Sequence, residues 1–494
     1  MPNYAKRALR GVAITFIMSF LASVAAYGLR IYLARALGPR DLGLFYAVFT
    51  FVIFFLFFRG LGLAEALVKF IAEYRSRDEY GKIKSAIVTV TSLQIISSAI
   101  LGLIFFLAAD FLALNYFKDP QAAKILKWLI IYIFFSLLFI VMKSTFQGLQ
   151  QMLLSSSMEL VKNLLVLLLA IIFFSLGQGI FSAVWAYCLV CLILILGYLP
   201  FFLRSCNLLS CQKADFWPVA KKISLFSLPI FATAIANKVI AYIDTLFLTY
   251  FRPLTEVGVY NVVLPSALIL LFFGTSIASI ILPLSSELWA SREIAKLEKG
   301  LHLLYKYTPM LVLLLLAPVF AFSDFFISNL FGAEYSSGIP AFQILLLGVF
   351  FYSIATINNN FLSGIGKPGT VTAIFLVSAL LNIILNLIFI PKYGITGAAA
   401  TTLASYLLSF VLSTIAVTRA ISSKIPWKQW LVFLIPGCSL VLFTFLLKIR
   451  LGFHPVIEII ISLFGAGTVY ALLLYLFGCL NVQEVVQYYK VFRK

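Results

Sequence analysis

The chain has 494 residues, 63% of them hydrophobic and only 11% charged, against about a quarter charged in soluble domains. That leaves too little polar surface to clothe a soluble fold, so the composition excludes a water-soluble enzyme or binding module and points to a polytopic membrane protein. The net charge of +19, with 37 Lys and Arg, would suggest nucleic acid in a soluble chain; here the basic residues sit mostly in short loops, where they orient helices, and no nucleic-acid partner is expected.

At the N-terminus, Lys6, Arg7 and Arg10 lead into a long apolar run. No short apolar region with a small-residue cleavage site follows, so no cleavable signal peptide is expected. Apolar runs of about 20 residues cross about 30 Å of hydrocarbon as helices. The sequence predicts fourteen: 11–33, 42–64, 84–108, 125–147, 153–176, 179–203, 224–250, 257–283, 303–323, 340–362, 369–390, 394–417, 427–447 and 455–478. The predicted fold is therefore all-α with 14 transmembrane helices.

Lys and Arg concentrate in both termini and the even-numbered connections, which predicts cytoplasmic termini in a cell membrane. Two of those connections, after the second and eighth spans, are amphipathic and read as helix extensions along the membrane surface. The six cysteines form no framework, and the Cys188–Cys191 pair lies within an apolar run, where a redox or metal role is disfavoured. His302 and His454 are far apart, so no metal site is predicted.

One phrase occurs twice. Asp41-Leu42-Gly43-Leu44-Phe45 lines up with Glu256-Val257-Gly258-Val259-Tyr260 at an offset of 215 residues. Phe146–Gln150 matches Leu362–Gly366 at 216, and Ile180, Ser182 and Ala183 match Ile395, Gly397 and Ala398 at 215. Glu73, Glu79 and Lys82 match Glu287, Glu293 and Lys296 at 214. Each match falls at an equivalent loop, so spans 1–6 and 7–12 are two copies of one six-helix unit. Six is even, which makes the repeats parallel, with a site expected between lobes that alternate access. The predicted lobes are 1–204 and 224–419, joined by a cytoplasmic linker at 205–223. Two additional helices and a cytoplasmic tail occupy 420–494.

The stretch Asn386-Leu387-Ile388-Phe389-Ile390-Pro391-Lys392-Tyr393-Gly394-Ile395-Thr396-Gly397-Ala398-Ala399 resembles a signature of polysaccharide-biosynthesis flippases. These belong to the multidrug/oligosaccharidyl-lipid/polysaccharide exporter superfamily. Leu37-Gly38 through Tyr46, Gly60 through Ala72, Leu282-Pro283-Leu284-Ser285 and Gly364 through Pro368 resemble other segments of that family. The resemblance covers spans 1–12. It implies an O-antigen-type oligosaccharide on a polyprenyl (di)phosphate carrier as substrate, with glycan polymerase or glycosyltransferase partners, in a monomer. Arg59 departs from the pattern, since an acid commonly precedes Gly-Leu-Gly there, so H+ or Na+ coupling stays open. No cofactor and no catalytic residue is implied.

Ionisable groups within spans are costly and therefore functional candidates. Arg30 shares a stripe with Ser19, Ser23 and Tyr27, which suits a cavity wall, or it snorkels to the headgroups. Asn237, Lys238 and Asp244 lie in the seventh span, serving either an ion pair or a substrate. Arg59 and Lys162, the latter a turn after Glu159, carry the same two readings. Lys143 and Asn359 are repeat equivalents. Over the spans, Arg30, Arg59, Lys143, Lys162 and Lys238 outnumber Glu65, Glu159 and Asp244. A net cationic cavity suits a phosphate crossing low dielectric; a cation-coupled multidrug or small-molecule exporter would favour an acidic one. Gly364-Ile365-Gly366-Lys367 is no phosphate loop, because Phe361 replaces its first glycine and Pro368 its Ser/Thr. An enzyme would need a long acidic or His-rich loop, and none is present.

Overall fold

A computed structural model describes residues 2–206, 216–421, 427–451 and 455–478. Part of the predicted linker (207–215) and the C-terminal tail from 479 lie outside the described residues. The chain forms two compact units, Met1–Asn261 and Val262–Lys494.

In the first unit, α1 (Pro2–Gly60) carries both predicted spans 1 and 2. It bends at Gly38, whose backbone is non-helical (φ 73°, ψ 171°) and is followed by Pro39. Glycine takes that φ without steric cost, and proline has no N–H to donate back into the first arm. Then come α2 (Leu63–Arg75), α3 (Tyr80–Asn115), α4 (Gln121–Gly148), α5 (Met152–Ser175), α6 (Phe181–Cys206), α7 (Phe216–Phe251) and the start of α8 (Leu254–Leu268). The amphipathic α2 buries Leu63, Ala66, Leu67, Phe70, Ile71 and Tyr74, one face at helical spacing.

In the second unit, α9 (Leu271–Ala290) and α10 (Ile294–Ala321) precede α11 (Ser323–Phe331), a 3-10 turn at Ala333–Gly338, and α12 (Ile339–Gly364). The 54-residue α13 (Pro368–Ile421) spans predicted helices 11 and 12 and bends at Gly394 (φ 56°, ψ −132°). α14 (Trp427–Leu451), α15 (Pro455–Ile461) and α16 (Gly467–Leu476) follow, with a π-helical turn at Ser462–Ala466 between the last two. No strand occurs among the described residues. Nine helices among them are long and apolar enough to cross a membrane, and the bends at Gly38 and Gly394 divide two of these. The chain is a multi-pass membrane protein.

The duplication is written into the backbone. Left-handed φ values recur at matched positions: Asp78 (56°) and Arg292 (58°), Lys118 (55°) and Gly332 (120°), Gln150 (57°) and Gly366 (80°), Gly179 (50°) and Gly394 (56°). Most residues avoid this region, so four coincidences at offsets of 214–216 mark equivalent turns. The caps agree as well. Glu79 before α3 (φ −84°, ψ 58°) and Glu293 before α10 (φ −82°, ψ 56°) take the same conformation. Each pairs with a lysine three residues on, Lys82 at 2.8 Å and Lys296 at 2.5 Å. Gly148 lies against Val68 and Ile71 of α2, and its equivalent Gly364 against Leu282 and Ser285 of α9.

Two details differ from the sequence-based expectation. The predicted eighth span is broken at residues 269–270 into α8 and α9, and the connection before α12 contains α11 and a 3-10 turn.

The Asn386 signature braces the bend of α13. Its amide donates to Asn382 Oδ1 at 3.1 Å and its carbonyl oxygen accepts from Thr401 Oγ1 across the bend. Asn382, Asn386 and Thr401 are all buried. Gly397 is required beside them, because a Cβ there would lie 2.5 Å from the Phe389 carbonyl oxygen. Asn386→Leu should cost about 1–3 kcal/mol by stranding these groups, read as a lowered unfolding temperature of the detergent-purified protein.

Candidate substrate-binding site

A cavity of about 450 Å³ opens in the first unit between α2, α4, α5 and α6. α4 presents a largely polar stripe to it: Ser136, Lys143, Ser144 and Gln147 follow at helical spacing, with the apolar Ile140 among them and Tyr132 at one end. α5 adds Glu159 and Lys162, and α2 adds Glu65.

The charges meet at Glu159. Lys143 Nζ donates to its Oε2 at 2.7 Å, and Lys162 Nζ, one helical turn along α5, donates to its Oε1. Lys143 is 36% and Lys162 20% exposed, so both ammonium groups remain reachable from the cavity. Phe139 adds its ring 5.4 Å from Lys162 Nζ.

Arg59 stands immediately behind the lining and is 4% exposed. Its Nη1 donates to the Ile133 carbonyl at 2.7 Å and to Ser136 Oγ at 3.1 Å, and Ser136 itself lines the cavity. The lining thus holds Lys143 and Lys162 against Glu65 and Glu159, which is balanced, with Arg59 tipping the neighbourhood positive. The expected cationic excess is smaller than a tally over the spans implies, because Glu65 lines the cavity with Glu159 while Arg30 and Lys238 do not.

The other predicted residues lie elsewhere. Arg30 Nη1 donates to the Asn261 carbonyl, and its guanidinium sits 4.7 Å from the centre of the Tyr46 ring. Asp244 is buried and accepts from Tyr260 Oη at 2.6 Å. These two therefore form a second group around Tyr260 and Asn261, and neither lines the cavity described. Lys238 is half-buried, its Nζ 5.6 Å from the Tyr242 ring centre. The side chain of Asn237 lies outside the described residues. Asn359 belongs to the second unit and is 5% exposed, with both amide atoms lacking a partner among the described residues.

Sequence reasoning named Lys143 and Lys162 but placed Glu159 only as a neighbour of Lys162. It did not pick out Tyr132, Ser136, Ser144 or Gln147. The stripe on α4 was there to be found by the spacing argument applied to Arg30. Among the described residues, no group of three or more His, Cys, Asp or Glu could hold a metal ion.

Among the described residues the chain is built of helices and turns, with an ionic cluster inside its spanning helices, the make-up of a polytopic membrane protein. The family model described as "Polysaccharide biosynthesis protein" matches residues 8–289, and a MatE model matches residues 229–388. The chain belongs to the polysaccharide biosynthesis protein family, within the multidrug/oligosaccharidyl-lipid/polysaccharide exporter superfamily.

An uncharacterized membrane protein of Methanocaldococcus jannaschii, MJ1068, is 28% identical over 507 residues, covering 98% of each chain. The probable low-salt glycan biosynthesis flippase Agl15 of Haloferax volcanii is 27% identical over 234 residues, 47% of this chain and 49% of its own. Among solved structures, the lipid II flippase MurJ in an inward closed conformation matches with TM-score 0.78 at 16% identity, covering 94% of this chain and 98% of its own. An inward-facing multidrug resistance MATE family transporter matches at TM-score 0.69 and 16% identity, covering 80% and 94%. At those identities, the two structures speak to the fold.

Proposed function

We propose that this protein flips polyprenyl-(di)phosphate-linked oligosaccharides from the cytoplasmic to the outer leaflet. Lobes 1–204 and 224–419 alternate access around the linker at 205–223, and both termini face the cytoplasm. The observation that carries the reading is the Lys143–Glu159–Lys162 cluster facing a cavity in a chain of the polysaccharide biosynthesis family. Phosphate oxygens take charge-assisted hydrogen bonds from two ammonium groups better than from one. With no phosphate present, Glu159 satisfies both lysines, and an arriving phosphate displaces that carboxylate. Ser136, Ser144, Gln147 and Tyr132 supply hydroxyl, amide and ring surfaces suited to the first sugar. The enzymes that build or polymerise the glycan are the natural partners.

The test is proteoliposomes carrying a fluorescent polyprenyl-diphosphate oligosaccharide, with a membrane-impermeant reagent reporting how much label reaches the far leaflet. Protein-dependent acceleration is expected; rates equal to protein-free vesicles would overturn the reading. Arg59→Lys should slow flipping about tenfold in this assay, because an ammonium cannot hold Ile133 and Ser136 as the guanidinium fork does.

A second reading, a cation-coupled exporter of small molecules with H+ or Na+ as the coupling ion, is favoured by the MatE match and by Glu65 and Glu159 in the lining. Ion-gradient-driven uptake of an organic cation, with no flipping of lipid-linked glycan, would select it.

A further inference from the structure

The second unit has a cavity of its own, about 450 Å³, between α9 and α10. It is apolar along Leu284, Leu288, Leu301 and Leu304, and it carries Lys296 and Lys299 in the first turns of α10. The repeat gives a built-in comparison, because the matched positions of the first unit are packed solid. There Phe70 and Tyr74 stand where Leu284 and Leu288 do, and both are buried. The Phe226 ring and Lys222 close over them. Ser85 and Ala86, matched to Lys299 and Gly300, are 2% and 0% exposed. The second copy replaces two rings with leucines, a buried serine with a lysine and an alanine with a glycine. A Cβ on Gly300 would meet nothing within 4 Å.

A core that merely relaxed would open onto more apolar surface. This slot pairs an apolar wall with two ammonium groups at the end of a spanning helix, where headgroups lie. The N-terminal end of α10 adds its dipole to the same charge. Lys296 is paired with Glu293 yet 68% exposed, and an ion pair that open to solvent yields readily. We propose that the slot holds one anionic phospholipid of the surrounding bilayer, its phosphate on Lys296 and Lys299 and an acyl chain along the four leucines.

The full-length protein in detergent can be titrated with phosphatidylglycerol and, as control, phosphatidylcholine, with retained lipid counted by native mass spectrometry. Preferential retention of one phosphatidylglycerol is expected. The Lys296→Gln, Lys299→Gln pair should lower its affinity about 30-fold, at about fivefold per lysine. Gly300→Phe fills the slot and should also displace the lipid with both lysines in place. Equal retention of phosphatidylcholine, or retention unmoved by both variants, would overturn the proposal. So would one-for-one displacement by a polyprenyl monophosphate, which would assign the slot to the transported carrier. Retention is read without transport, so a negative flipping assay leaves this result standing.

Discussion

On the proposed function, a Lys143→Met, Lys162→Met double variant should reach the membrane folded but flip lipid-linked glycan about 100-fold more slowly than the parent. Each lysine offers a charge-assisted hydrogen bond of about 1.5–3 kcal/mol to a phosphate, and removing both leaves Glu159 in the cavity to repel it. The single variants should each fall about tenfold short, since the remaining ammonium still holds one phosphate oxygen. Glu159→Gln acts in the other direction on binding. With their competitor gone, the lysines should bind the proposed substrate tighter, and turnover should fall because nothing would displace the phosphate on release. The check is equilibrium binding of a soluble diphosphate-sugar analogue alongside the flipping rate. If all three single variants bind and flip as the parent does, the cluster has no part in transport.

The second large effect is structural. Gly43 and Gly258, the centres of the twice-written phrase, pack directly on one another. A Cβ on Gly43 would meet the Leu254 carbonyl oxygen, and one on Gly258 would meet that of Pro39. Neither carbonyl can turn aside without breaking its own helix. Gly43→Ala or Gly258→Ala should therefore cost about 3 kcal/mol, the upper end of what one added methyl costs a packed interior. Gly197→Ala is the control: a Cβ there meets nothing within 4 Å, so a helix glycine becomes alanine at a gain of about 0.5–1 kcal/mol. Thermal unfolding in detergent should rank Gly197→Ala above the parent and the other two well below it. Equal stability of all three would remove the case that this contact is built in.

Much of this architecture was legible because it is local. Span length follows from hydrocarbon thickness, and the repeat shows in turns that demand particular residues: Gly179, Gly366 and Gly394 all have positive φ. Asp78 and Arg292, whose φ is also positive, carry no glycine signal, and only the matched Glu and Lys around them mark that loop as repeated. The break at residues 269–270 was not legible, since its residues, Ile269 and Leu270, look like any others in an apolar run. The ionic site was half legible. A charge inside a span announces itself, but which charges meet depends on the rotation of each helix about its axis. So Lys143 and Lys162 came together, while Arg30 and Asp244 gathered around Tyr260 and Asn261. Asn359 keeps Lys143's place in the second copy without its charge.

The balance of charge in the lining also bears on the membrane potential. Moving one elementary charge through 100 mV takes about 2.3 kcal/mol. A lining of two lysines and two glutamates presents no net charge to that field when no substrate is bound. On the proposed flipping cycle, the lining itself would add no net charge to the unloaded return stroke, which leaves the cargo's phosphates and Arg59 as the groups on which voltage acts.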